Sequence, residues 1–210
     1  MTNGLVMYLD AANTKSYPGS GTTWSDLSRS GNDGTLTNGP TFNSANGGSI
    51  VFDGVNDYTQ IPYNTGDTNV DYTIIVSFKI NSFTGNDMRL FGAYAGNVNQ
   101  LASGFTTQTF RLWLQFQWNN TNLVCETGTN YILGIVHIGT TTLLYVNGVL
   151  NSTILDRTSY FNNIGIGNTF LLGFGTYFNG NIYQTSIYNR ALTPQEVLQN
   201  FNATKSRYGL

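Results

Sequence analysis

Trp113 is the residue on which recognition chemistry is most easily built in this chain. It alternates with Arg111, Gln115 and Gln117 along one side of a strand-like run, while Phe110, Leu112, Leu114, Phe116 and Trp118 take the other side. An indole flanked by a guanidinium and planar amides can stack on a pyranose ring and hydrogen-bond its hydroxyls. Tyr145 and Tyr183 extend this platform if their strands neighbour it. The competing reading puts Trp113 in a core, because both faces of a sandwich sheet can bury aromatic side chains. Catalysis finds less material. Retaining glycoside hydrolysis uses two carboxylates about 5–5.5 Å apart, and the chain holds two Glu residues, Glu126 and Glu196, far apart in sequence. No acids are spaced as Glu-x-Asp-x-x-Glu, and His137 lies in an apolar run without a Ser or Cys nucleophile pattern beside it. His137 therefore reads as a core or interface residue, and the expectation is that the chain is not an enzyme.

For a metal, the place to look is Asp53-Gly54-Val55-Asn56-Asp57, where the carboxylates of Asp53 and Asp57 and the amide of Asn56 surround a Gly turn. Ca2+ requires several such oxygens converging at about 2.3–2.6 Å. The same two acids can instead accept hydrogen bonds from backbone N–H groups of a tight turn. Asp10 and Asp26 read as turn or inter-strand hydrogen-bonding groups of that kind. A thiolate–imidazole zinc site is excluded by one Cys and one His. Cys125 stands alone, so it forms no intrachain disulfide and reads as a buried thiol.

Strands must position these residues. Along Tyr72 to Ile80, Tyr72, Ile74, Val76, Phe78 and Ile80 point one way and Thr73, Ser77 and Lys79 the other. Tyr131 to Ile138 is apolar on both faces, as a central strand is. Leu143 to Leu150 reads as a hairpin in which Asn147-Gly148 supplies the positive φ of a type I′ turn. Phe178 to Asn189 completes a sheet, and Trp24 anchors its loop. The stretch 81–104, punctuated by Gly85, Gly92, Gly96 and Gly104, is expected to carry long loops. Near the end, Thr193-Pro194-Gln195-Glu196 is a capping box with Pro at the first helical position. The short helix that follows puts Val197, Leu198 and Phe201 on one buried face.

The segment Tyr188-Asn189-Arg190-Ala191-Leu192-Thr193-Pro194-Gln195-Glu196-Val197 resembles the C-terminal signature of LamG-like, concanavalin A-like jelly-roll domains. Gly4 to Ala11 is similar to the first strand of that family. Trp24-Ser25-Asp26-Leu27-Ser28 with Gly31-Asn32-Asp33-Gly34-Thr35-Leu36 resembles its next loop, and Phe52-Asp53-Gly54-Val55-Asn56-Asp57-Tyr58 its Phe-Asp-Gly-x-x-Asp-Tyr turn. The departure is Arg29-Ser30-Gly31-Asn32-Asp33, where such domains more often carry Gly-Asn-Gly-Asn. The resemblance runs from end to end. It implies an all-β fold over residues 1–210 as a single domain: a two-sheet antiparallel jelly-roll sandwich with one short C-terminal α-helix. It also implies carbohydrate or cell-surface recognition, and Ca2+ near a sheet rim in many members.

Composition sets the surroundings. A net charge of −2, with no run among the nine basic residues, argues against nucleic acid or an anionic membrane as partner. No apolar stretch is long enough to span a bilayer, and the opening residues lead to the expectation of no signal peptide. Charged residues are only 10% of a chain rich in Asn, Thr, Gly and Tyr, which is the style of an extracellular β-protein. These features together lead to the expectation of a virion surface module, phage tail or capsid-associated, that binds a host polysaccharide and other virion proteins. The alternatives are a structural decoration protein making contacts in a homo-oligomer and, less favoured, a glycan-active enzyme.

Overall fold

Apolar alternation drives two sheets together. Ile74, Val76 and Phe78 share one buried cluster with Phe110, Leu112 and Leu114, although the two runs belong to different sheets. In the computed structural model, residues 3–64, 70–95, 98–114, 117–155, 162–168 and 177–210 are described. The first strands are β1 (Leu5–Asp10), β2 (Thr23–Trp24), β3 (Gly34–Thr37), β4 (Thr41–Asn43), β5 (Ser49–Asp53) and β6 (Tyr58–Asn64). Then come β7 (Tyr72–Ile80), β8 (Asn86–Ala95), β9 (Val98–Thr106), β10 (Thr109–Leu114) and β11 (Gln117–Val124). The chain continues through β12 (Asn130–Ile138), β13 (Thr141–Val146), β14 (Val149–Leu155), β15 (Asn162–Ile166), β16 (Asn179–Tyr188) and helix α1 (Pro194–Thr204).

One sheet runs β14–β13–β12–β7–β16–β5–β4, with β1 also paired to β16, and the other runs β11–β10–β9–β8–β15–β6–β3–β2. All these ladders are antiparallel. The expected sandwich is therefore present, and rings fill it. Phe105 stands 6.0 Å from Phe78 and 5.3 Å from Phe110, the second pair edge to face, a geometry that adds to plain area burial. Trp24 is fully buried in the same cluster, as an anchor should be. β12 lies between β7 and β13, so its two apolar faces are both used. Asn147 and Gly148 have φ of 50° and 80°, the paired positive values of a type I′ turn, with Val146 opposite Val149.

The outward face of the first sheet is covered by the C-terminal segment. Thr193 caps α1 by accepting from the Glu196 N–H at 3.3 Å, and Glu196 Oε2 accepts from the Thr193 N–H at 2.8 Å. Arg190 then grips the same carboxylate with both Nη atoms, at 2.8 and 2.7 Å. This fork, together with the Thr193 N–H, holds the Glu196 carboxyl well below its usual range, at about 2. Val197 is buried and Phe201 is partly so, but Leu198 remains 44% exposed, contrary to the expected three-residue buried face. Val197 comes against Gly134 of β12 while Phe201 and Leu198 come against the Gly148 turn, where Leu198 keeps much of its surface in solvent.

Two further expectations are corrected. The stretch 81–104 is not a set of loops, because β8 and β9 within it pair along most of their length. Met88, Leu90 and Phe91 are core residues, so burial holds the glycine-bearing segment extended. The run from Phe110 to Trp118 is not one strand. Leu114 pairs with Gln117 and Trp113 with Trp118, so the chain reverses between β10 and β11.

Candidate functional site

With Phe110, Leu112 and Leu114 in the core, Arg111 and Trp113 leave the outward face of β10. Because Trp118 is directly opposite Trp113, both indoles project from that same face. Their rings meet edge to face, 5.4 Å apart at 70°, and each remains partly exposed. Two guanidiniums lie over the Trp118 ring, that of Arg111 at 4.1 Å and that of Arg89 at 4.3 Å from its centre.

Asp87 ties the arginines together. Its Oδ2 accepts from Arg89 Nη2 at 2.7 Å, and its Oδ1 accepts from Arg111 Nη2. Asp87 has φ of 92°, a region non-glycine residues rarely occupy, beside a register shift between Asn86 and Met88. The two arginines stand on either side of Gly104 in register. A Cβ there would come within 2.5 Å of the Met88 carbonyl oxygen, so the gap between them carries no side chain. Arg89 is 4% exposed. Its burial pulls the guanidinium below the ordinary arginine value; Asp87 opposes this and the Arg111 charge adds to it. Farther along the Trp113 row, Gly92 and Gly165 are buried, so the exposed aromatic surface of that row sits at its β10–β11 end.

The structure thus brings Trp113 and Arg111 together on a solvent face. Gln115 and the side chain of Gln117 lie outside the described residues. Tyr145 and Tyr183 do not extend the platform. They stand on the other sheet, on β13 and β16, buried with α1 and the turn at Lys205–Tyr208. Tyr183 packs 4.8 Å from Tyr208 and its hydroxyl donates to Asn130 Oδ1 at 2.8 Å. Period-two alternation places a residue on a face without saying which sheet owns the face. Asp87, Arg89 and Trp118 escaped sequence reading because distant strands and an unmarked chain reversal assemble them. His137 is in the core, stacked 5.1 Å from Tyr72 with Nδ1 at 3.1 Å from Thr142 Oγ1. Cys125 is buried, which pushes its thiol up to about 12.

At the turn after β5, Asp53 Oδ1 accepts from the N–H groups of Val55 and Asn56 at 2.8 and 3.4 Å, and Asp57 Oδ2 accepts from the Asp53 N–H at 3.0 Å. The Asn56 carbonyl accepts from Asn38 Nδ2. This is the turn-capping arrangement, and among the described residues no three His, Cys, Asp or Glu side chains are grouped to hold a metal ion. Asp26 is the stronger structural hub. Its Oδ1 accepts from the N–H groups of Tyr8 and Ser28, and its Oδ2 from Ser28 Oγ and the Asn32 N–H, tying the loop to β1.

The family model of the concanavalin A-like lectin/glucanases superfamily matches residues 53–198, well over half of the 210 residues. The chain belongs to this superfamily. No curated protein matches its sequence. Among solved structures it is similar to Trypanosoma rangeli sialidase in complex with sialic acid, with a TM-score of 0.76 and 18% identity over 97% of this chain and 33% of that one. It is also similar to domain 4 of AbnA, a GH43 extracellular arabinanase from Geobacillus stearothermophilus, in complex with arabinotriose. There the TM-score is 0.71 and the identity 17%, covering 93% of this chain and 97% of that one. A third is the binding domain of Botulinum neurotoxin DC in complex with rat synaptotagmin II, with a TM-score of 0.73 and 12% identity over 97% and 52% of the two chains. At these identities the likeness is one of fold, and the chain spans about a third of the sialidase's length.

The superfamily member described here is thus a concanavalin A-like domain of carbohydrate-binding type. The expectation that the chain is not an enzyme is corrected, because its structural neighbours include a sialidase and a domain of an arabinanase. A carboxylate count within one domain is blind to chemistry elsewhere in a longer enzyme. The named neighbours do not carry the virion setting expected from composition. Among the described residues no helix is long and apolar enough to cross a membrane.

Proposed function

We propose that this domain binds carbohydrate on the outward face of β10 and β11, and that it connects a glycan-active protein to its glycan. Trp113 is the stacking platform, Trp118 its edge-on partner, and Arg111 the hydrogen-bonding arm. The observation that carries this reading is the pair of partly exposed indoles at 5.4 Å, braced by two guanidiniums on a face pointing away from the core. A protein gains little stability from leaving such rings partly in water, whereas a pyranose gains a flat apolar surface. The test is calorimetric titration with soluble glycans, for the native chain and for Trp113→Ala. Loss of binding in the variant with the fold retained supports the site; unchanged binding removes it.

An assembly role is the second reading. Val149, Leu150 and Leu198 are 68%, 50% and 44% exposed beside the hairpin and α1, a cluster suited to contact with another protein surface. The virion setting fits the carbohydrate-binding and assembly readings alike and rests on composition. Light scattering coupled to size exclusion tests both: a stable ring or trimer favours assembly, and a monomer favours an independent lectin-like module.

A further inference from the structure

Among the described residues, the arginine cluster behind the indoles is one anion short. Two guanidiniums, Arg89 and Arg111, share the single carboxylate of Asp87, and both oxygens of that carboxylate are already engaged by an Nη2. The Nε–H groups of Arg89 and Arg111 are buried and have no hydrogen-bond partner among the described residues, and Arg89 is itself 4% exposed. Buried donors in native proteins are almost always paired, and a net positive charge under an aromatic lid is costly without a counter-ion. Trp118 offers its ring face to both cations but accepts no conventional hydrogen bond from them. Access lies on the Arg111 side, where the side chains of Arg111 and Asp87 are 16% and 25% exposed next to Trp113.

We infer that the glycan bound at this face carries a carboxylate, as uronic and sialic acid sugars do. The inference rests on the carbohydrate-binding reading above and adds the charge of the ligand. The sugar ring stacks on Trp113 while its carboxylate approaches Arg111, bringing the cluster to two cations and two anions. Arginine suits this role because its planar fork matches a carboxylate with two parallel hydrogen bonds. Asp87 does not repel the newcomer strongly, since two guanidiniums already outweigh its charge.

The experiment uses polygalacturonate and the same polymer fully methyl-esterified, a pair that differs in charge and not in backbone. Alginate, hyaluronan and polysialic acid join as acidic probes, and arabinan, galactan and xylan as neutral ones. At least one acidic polymer should bind. Its affinity should fall by about tenfold or more on Arg111→Gln, the loss of a charge-assisted hydrogen bond, and should weaken as salt screens the pair. If polygalacturonate is the polymer bound, its methyl ester should bind correspondingly worse. Should Arg111→Gln fail to fold, the salt series on the native chain decides, with the ester pair wherever polygalacturonate binds. Binding confined to neutral glycans and insensitive to salt overturns the inference while leaving the carbohydrate-binding site in place. Acidic binding unaffected by Arg111→Gln also overturns it. Binding of no glycan at all removes both the inference and the proposed function.

Discussion

The contrast between Trp113 and Trp24 gives the sharpest test of the site. Trp24 has no exposed surface and packs in the inter-sheet core, so Trp24→Ala removes a whole buried indole. Such truncations cost about 3–5 kcal/mol. Trp113 leaves the core side of β10 entirely and is partly exposed. Its truncation forfeits the edge-to-face contact with Trp118, about 0.5–1.5 kcal/mol, and a share of apolar shielding, for a total of about 1–2 kcal/mol. A chain of this size shifts by about 2–4 °C per kcal/mol. Trp113→Ala should therefore lower the melting temperature by about 2–8 °C, and Trp24→Ala by about 6–20 °C. Calorimetric melts of both variants, with glycan titrations at a temperature where both are folded, make the comparison. Trp113→Ala should lose glycan binding; Trp24→Ala, where still folded, should keep it. Equal destabilisation by the two changes, or glycan binding that survives Trp113→Ala, would refute the assignment of Trp113 to a recognition surface.

Three other outcomes follow from the same geometry. Asp26→Asn turns one acceptor oxygen into an NH2 group facing either the Asn32 N–H or the Tyr8 and Ser28 N–H groups; it should cost about 1–3 kcal/mol in urea unfolding, and a neutral result would dismiss the hub. The Glu196 carboxyl is held at about 2 against an ordinary 4.5, so its stabilising contribution is present above about pH 4.5 and is lost as the pH falls towards 2. Glu196→Gln should flatten that part of the acid titration of stability, and an unchanged acid profile would mean the Arg190 fork contributes nothing. Calcium at Asp53, Asn56 and Asp57 is tested by chelation: because the Asp oxygens already accept backbone N–H groups, EDTA should leave the melting temperature unmoved, whereas a clear drop would establish a bound cation through linkage.

Local chemistry made several elements legible before any tertiary contact was known. Thr193, Pro194 and Glu196 mark the start of α1 within four residues, because a capping box satisfies its donors from its own turn. Asn147-Gly148 marks a hairpin because those two residues reach positive φ at low cost. The strand character of Tyr72–Ile80 and Tyr131–Ile138 follows from their apolar content, and the position of Trp113 and Arg111 on one shared face follows from alternation along β10. Only tertiary structure decided that the run beyond Leu114 folds back, since the alternation passes through the reversal without a Gly or Asn to mark it. Only tertiary structure could assign Tyr145 and Tyr183 to the opposite sheet, or gather Asp87, Arg89 and Trp118 around the platform. Those positions depend on which strands exchange backbone hydrogen bonds across long sequence separations. An alternating pattern tells a side chain which way to point, while the ladder of strand pairing determines what it meets there.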